Sequence, residues 1–360
     1  MLVEKARIPI KQMLLYGFLP NFLKILIYRI KGYKIGKKVS IGFGSIICGD
    51  IVTIGNNSKF GFFSIVRGDK IKIGSHVTIG SSTFIDTPII QIGDDTRINE
   101  QVYVGGLQSH DSKFVLGKNC QVMQMTFINP AKSVVVGDDS GIGGHCLIFG
   151  HASWQSVFEG YAAQFDTIEI GNSVSITWRV FLMPGSKIGD GTVVAPNSLV
   201  NRTIPPKSLV AGYPARVIKK HPDFPDELNE QKKKEILEKI VKEMIDYFIG
   251  SGMEIETRDD YYTIHHTKKG FLRERKQQFC LGIKYSRFST KNEKFNKKNR
   301  LDVLVSLAAI PTTLRAELNR KKVMWLDIEN KERPQFWNDL GDEVALFLRR
   351  YGVRFTRVDR

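Results

Sequence analysis

From Ile35 to Val200, apolar residues recur on a step of six. Ile35, Ile41 and Ile47 open the series, followed by Ile54, Phe60, Val66; Ile73, Ile79, Ile85; Ile92, Ile98, Val104; and Leu116, Val122, Ile128. It closes with Val136, Ile142, Ile148; Ile170, Ile176, Leu182; and Ile188, Val194, Val200. Two places before many of these stands a small or β-branched residue, including Ser58, Ser64, Thr83, Thr96, Cys120, Thr126, Ser140, Cys146, Thr192 and Ser198, which is also expected to point inward. A step of six fits neither the 3.6-residue helix nor the heptad, and the inward sites are rich in β-branched residues, so each step is expected to be one short strand and one corner. Gly often follows the apolar position, as at Gly55, Gly93 and Gly171, and reads as the residue of a tight turn. After every third step the register slips by about one residue or admits a loop. Three strands per coil and about eight coils therefore predict a mainly β chain built around a parallel β-helix, a triangular prism.

The two flanks follow other rules. Leu14, Leu15, Phe18, Phe22, Leu23, Leu26, Ile27 and Ile30 make a helically spaced apolar stripe, with Lys24 and Arg29 on the opposite face. Two readings stand: a cap over the open first coil, which is preferred, and a helix lying peripherally on an anionic inner membrane. Beyond His221-Pro222, Ile236 to Phe248 form a helical stripe ending at Gly250. Strand-like runs at 261–265, 279–284, 301–308 and 323–328, a helix over about 334–350 and a last strand at 353–358 predict a small α/β domain. The expected division is 1–34, helical cap; 35–220, β-helix; 221–360, α/β domain of unassigned role.

Composition narrows the function. The chain has 360 residues, 42% of them hydrophobic and 25% charged, enough for two cores. Its net charge of +16 favours acidic partners, and nine of its Lys and Arg fall in the first 38 residues beside a single acid, Glu4. The four cysteines are scattered, suggesting neither disulfide framework nor zinc knuckle, and a reducing cytoplasm fits. The opening apolar stretch, broken by Lys11, Pro20 and Lys24, is too interrupted for a signal peptide or membrane span. No nucleic-acid partner is expected.

The repeat resembles the hexapeptide-repeat acyltransferases over residues 35 to about 219, and IGDGTVVAPNSLVNRTIPPKSLVAGYPARVIKK is similar to the terminal coil and exit segment of galactoside, maltose and polysaccharide O-acetyltransferases. The resemblance implies left-handed coils, acetyl-CoA as co-substrate, a sugar or polysaccharide precursor as acceptor, no metal, and a homotrimer with a site between neighbouring prisms. The six-residue step breaks between Val104 and Leu116 and between Ile148 and Ile170, each time after a third strand, so both loops leave one corner. His151, nineteen residues before Ile170, stands where the family places its catalytic histidine. An imidazole supplies the general base that a sugar hydroxyl needs. For its orienting partner, Glu159, Asp166 and a backbone carbonyl stay open.

Carried across by resemblance, Trp178, Ala195, Pro196, Asn201, Arg202 and Lys219 fall at CoA-contacting positions, and Lys207 and Arg216 are candidates for its phosphates against the reading of plain surface charge. His110, Trp154 and Ser175 are placed on the acceptor side. His76 reads as a structural corner residue, and His145 as structural or at a subunit contact. The family's VWIG is VSIT here, from Val174 to Thr177, which puts the acceptor geometry in question. Two alternatives stand beside it: a γ-carbonic-anhydrase-like hydratase, encouraged by His110, His145, His151 and the Val66–Asp69 motif but out of register at Gly144 and Phe149, and a catalytically silent glycan-binding scaffold.

Overall fold

In the computed structural model, residues 8–258, 260–269, 274–288 and 301–358 are described. The chain separates into two compact units, Met1–Asp226 and Glu227–Arg360.

The first unit is a left-handed parallel β-helix. Its first face runs from Lys34–Ile35 to Thr203–Ile204, its second from Ser40–Ile41 to Ser208–Gly212, and its third from Ile46–Cys48 to Leu199–Val200. Eight coils are complete, and Thr203–Ile204 and Ser208–Gly212 begin a ninth. Ala215–Lys220 then folds back antiparallel on Ser208–Gly212 and closes that end. The apolar residues of the six-residue series fill the axis, nearly all fully buried.

The small polar residues inside have a purpose that periodicity alone does not reveal. Ser58 Oγ donates to Gly74 O at 2.8 Å, Thr126 Oγ1 to Gly143 O at 2.8 Å, and Ser140 Oγ to Gly171 O at 2.8 Å, each to a corner carbonyl of the following coil. A carbonyl otherwise stranded in the core is thereby satisfied.

The glycines correct the sequence reading. Gly55 and Gly93 are absent from the residues with positive φ; the left-handed conformation belongs to Asn57 and Asp95, two places on, and at other corners to His76 (φ 58°) and His145 (φ 56°). What forbids a side chain at Gly93 is proximity: a Cβ there would lie 2.6 Å from the backbone of Gly117 in the next coil. The corner glycine permits stacking of coils, not a turn conformation.

The N-terminal segment is also corrected. Pro20 divides it into a short helical stretch over Ile10–Gly17 and a helix over Asn21–Ile30, and that helix buries Lys24 and Tyr28, with Ile25 and Ile27 partly buried against the core. An open coil presents unpaired backbone groups, and hydrocarbon cannot satisfy them. Lys24, fully buried, donates to Gly42 O at 2.6 Å and Ser45 O at 3.1 Å. Asn21 Oδ1 accepts from Ile41 N, the Tyr28 hydroxyl accepts from Ile47 N, and the Tyr33 hydroxyl donates to Gly49 O. The stripe of Phe22, Leu26 and Ile30 is left facing outward.

The second unit holds a seven-stranded mixed sheet with helices Glu230–Gly250, Thr312–Arg320 and Asp339–Arg349. Thr312–Arg320 and the strand Glu254–Arg258 were not anticipated, and the last helix is shorter than expected. It starts after Asn338, whose side chain accepts from Gly341 N, while Glu332–Pro334 is a strand. Buried Asp327 is held by Arg315 at 2.7 Å and by the Ile310 amide at 2.8 Å, a structural role for its carboxylate.

Candidate active site at the third corner

Each coil passes from its third face to the next first face through a third corner, and both long loops leave the prism there, after Tyr103–Val104 and Leu147–Phe149, two coils apart. Gly150 N donates to Asn129 O at 2.9 Å, and Gly150 O accepts from Asp166 N at 3.0 Å. The chain between is a two-stranded arm, His151–Ala152 paired antiparallel with Gln164–Phe165. Its distal part carries Trp154, 96% exposed, and Phe158, 98% exposed, on a short turn whose start is capped by Ser156.

His151 sits at the root of this arm. Its ring lies 5.9 Å from Phe149 and 6.2 Å from Phe165, centroid to centroid, nearly parallel to the latter. Nδ1 is buried without a hydrogen-bond partner. Neither acidic candidate bonds to it: Asp166 Oδ1 accepts from Thr167 N at 2.7 Å, its Oδ2 lies towards Gly185, and Glu159 is exposed on the arm.

Two residues at this corner escaped the sequence reading. Asn129 is buried with Oδ1 unpartnered, its amide lying over Gly106, where any Cβ would collide with it. Gln108 Oε1 is likewise buried and unpartnered, on a loop fastened to the next coil by Ser112 Oγ, which donates to Ala131 O at 2.9 Å. Among the described residues of the β-helical unit, the buried side-chain oxygens and nitrogens lacking a partner are these three: Gln108 Oε1, Asn129 Oδ1 and His151 Nδ1. Neither residue carries a periodic signal. A third missed feature was legible: an aromatic directly precedes the inward residue at Phe84, Tyr103 and Phe127, and these stack up the third face at 5.1 and 5.0 Å, with Phe149 continuing at 5.2 Å.

The remaining candidates are dispersed. His110 is exposed on the loop at the third corner, and Asn201 and Arg202 occupy that corner below His151. Trp178, Ala195 and Pro196 lie on the second corner, with Ser175 on the adjoining second face. Trp178 covers Gly144 and stands 6.0 Å from the ring of His145. Lys207 is at the first corner, and Arg216 and Lys219 are exposed on the closing strand. His145 and His151 are thus on different corners, and among the described residues no three of His, Cys, Asp and Glu gather as metal ligands. An open groove of about 650 Å³ runs along the first face from Lys113 and Ser133 past Thr167 to Thr203 and Pro206, with the Glu169–Lys187 ion pair at 3.0 Å in its wall.

No family model matches the chain. A probable macrolide acetyltransferase of Lysinibacillus sphaericus is 35% identical over 122 residues, 32% of this chain and 63% of that protein. From Escherichia coli (strain K12), a putative lipopolysaccharide biosynthesis O-acetyl transferase, WbbJ, is 31% identical over 29% of this chain and 58% of its own length. The galactoside O-acetyltransferase of the same strain is 31% identical, covering 31% of this chain and 56% of that enzyme. The chain has coils built on a six-residue step and is similar in sequence to acetyltransferases. The matched stretch spans less than two thirds of these relatives.

Proposed function

We propose that the protein is an acetyl-CoA-dependent O-acetyltransferase acting on a sugar hydroxyl, in the building of a bacterial surface polysaccharide, with His151 as general base. One observation carries this reading: among the described residues of the β-helical unit, the three buried side-chain atoms without a partner all belong to residues at the corner that bears the histidine. A buried polar atom without a partner costs about 1–3 kcal/mol, an expense that a ligand's hydrogen bonds offset. Sugar hydroxyls donating to Asn129 Oδ1 and Gln108 Oε1 would bring one of their number to His151 Nε2.

With the hydrogen on Nδ1, Nε2 takes the hydroxyl proton as the oxygen attacks the acetyl carbonyl. The new C–O bond gives a tetrahedral oxyanion; its collapse breaks the C–S bond, and Nε2 returns the proton to the CoA thiolate. The products are the acetyl ester and free CoA.

The second-corner residues Trp178, Ala195 and Pro196 do not meet His151 within one chain. A homotrimer answers this, setting the second corner of one protomer against the third corner of its neighbour, with the aromatic arm reaching across. Arg202, Lys207, Arg216 and Lys219 would then be available to the nucleotide phosphates, and the groove on the first face to the pantetheine arm. The proposed location is the cytoplasm, peripheral to the inner membrane; among the described residues no helix is long and apolar enough to cross a membrane.

The test is transfer of radiolabelled acetyl from acetyl-CoA to a panel of oligosaccharides, with a macrolide and chloramphenicol as competing acceptors. Sugar acetylation that disappears in His151→Ala supports the proposal. Acetylation of an antibiotic alone replaces the acceptor, and undiminished transfer by the variant removes the base.

A further inference from the structure

The N-terminal helix answers the needs of the coil edge with Asn21, Lys24 and Tyr28 and packs Ile25 and Ile27 against the core, which leaves the rest of its apolar surface facing solvent. Phe22, Leu26 and Ile30 lie four residues apart on that outer side and are 70%, 54% and 77% exposed. The preceding turn adds Leu14 and Leu15, both exposed, and Phe18 continues the surface to Phe43 of the first coil at 5.1 Å and onward to Phe63. Contiguous apolar surface of this kind marks a binding face.

Charge identifies the occupant. Residues 8–49 contain no Asp or Glu, and six of their cations, Lys11, Arg29, Lys31, Lys34, Lys37 and Lys38, are exposed. A second copy of the chain docked by this face would oppose like charges. An anionic bilayer complements both features: acyl chains take the aromatic and aliphatic side chains, and lipid phosphates take the lysines.

We infer that the outer face of the Asn21–Ile30 helix and its preceding turn is a membrane-docking surface for anionic phospholipid, so that one helix caps the prism with one side and anchors it with the other. This gives residues and lipid class to the peripheral location proposed above, and is independent of the chemistry assigned to His151.

The test is flotation of the full chain with vesicles of phosphatidylcholine alone and of roughly 3:1 phosphatidylcholine to phosphatidylglycerol. Binding to the anionic vesicles is expected, falling about tenfold in Phe22→Ser/Leu26→Ser and comparably in Lys37→Glu/Lys38→Glu, with the thermal unfolding of both variants unchanged. Failure to float with anionic vesicles, equal binding to neutral ones, or undiminished binding by both variants overturns the proposal. So does a wild type whose self-association, measured by sedimentation velocity, is abolished by Phe22→Ser/Leu26→Ser while vesicle binding persists, because the face would then belong to a second copy.

Discussion

The first and third corners of the prism are made from the same repeat and treat polar groups oppositely. At the first corner, successive coils staple one another: Asp94 Oδ1 accepts from Ser75 N, Asp138 Oδ1 from Lys118 N, Asn172 Oδ1 from Asp138 N, and Asp190 Oδ1 from Asn172 N, all at 2.7–2.8 Å. At the third corner, Gln108, Asn129 and His151 each bury an atom with no partner. One corner is closed on itself and stabilises the solenoid; the other leaves three buried side-chain atoms without a partner, the feature on which the proposed site rests. In a repeat protein, the place where the repeat stops satisfying its own polar groups is where a site is to be sought.

The comparison is sharpened or broken by substitution. The largest effect belongs to His151→Ala, expected to lower kcat for acetyl transfer by about 100-fold or more while the thermal unfolding midpoint stays unchanged. A variant retaining most of its activity would place the chemistry elsewhere.

Next come paired substitutions at the two kinds of position. Asn129→Ala deletes an unsatisfied acceptor, so stability should hold or rise while KM for the sugar acceptor increases by about tenfold. Ser140→Ala instead removes a hydroxyl that donates to Gly171 O and accepts from Val174 N at 3.0 Å. It should destabilise the β-helix by about 2 kcal/mol in denaturant titrations and leave the acceptor KM as it was. Were the two outcomes interchanged, the contrast between corners would fail.

Trp154→Ser/Phe158→Ser tests whether the arm belongs to an assembly. Light scattering should show a trimer for the wild type, as proposed, and its loss in the variant with far-ultraviolet circular dichroism intact; a trimer that persists would leave the exposed aromatics unexplained.

The smallest expected effect concerns Lys24, which burial lowers from 10.5 to about 8. Between these values the unfolded chain holds a proton that the native state has released, so stability rises with pH through that window. The difference in unfolding midpoint between wild type and Lys24→Met should therefore shift in favour of wild type from pH 8 to pH 10. A difference that stays flat would mean that the ammonium keeps its proton against Gly42 and Ser45.

The series from Ile35 to Val200 made the coils legible because each strand's inward position is a local property of the chain. The loop before Ile170 was legible as its interruption. What stayed hidden depends on contacts between coils. The clash that fixes Gly93 comes from Gly117, a full coil away. The inward turn of Lys24 follows from the carbonyls of Gly42 and Ser45 at the edge of the first coil, to which it donates and which no stripe of hydrophobic residues announces. Asn129 and Gln108 stand out by burial and missing hydrogen-bond partners, which are properties of the folded corner and not of the local sequence. The dispersal of Trp178 and His151 over two corners likewise required the faces to be known.

The most direct measurement is a crystal structure of the protein with CoA and an acetylatable oligosaccharide. The account predicts an acceptor hydroxyl within hydrogen-bond distance of His151 Nε2, neighbouring hydroxyls on Asn129 and Gln108, and the CoA sulfur facing the same hydroxyl. Both ligands bound away from an empty third corner would contradict it.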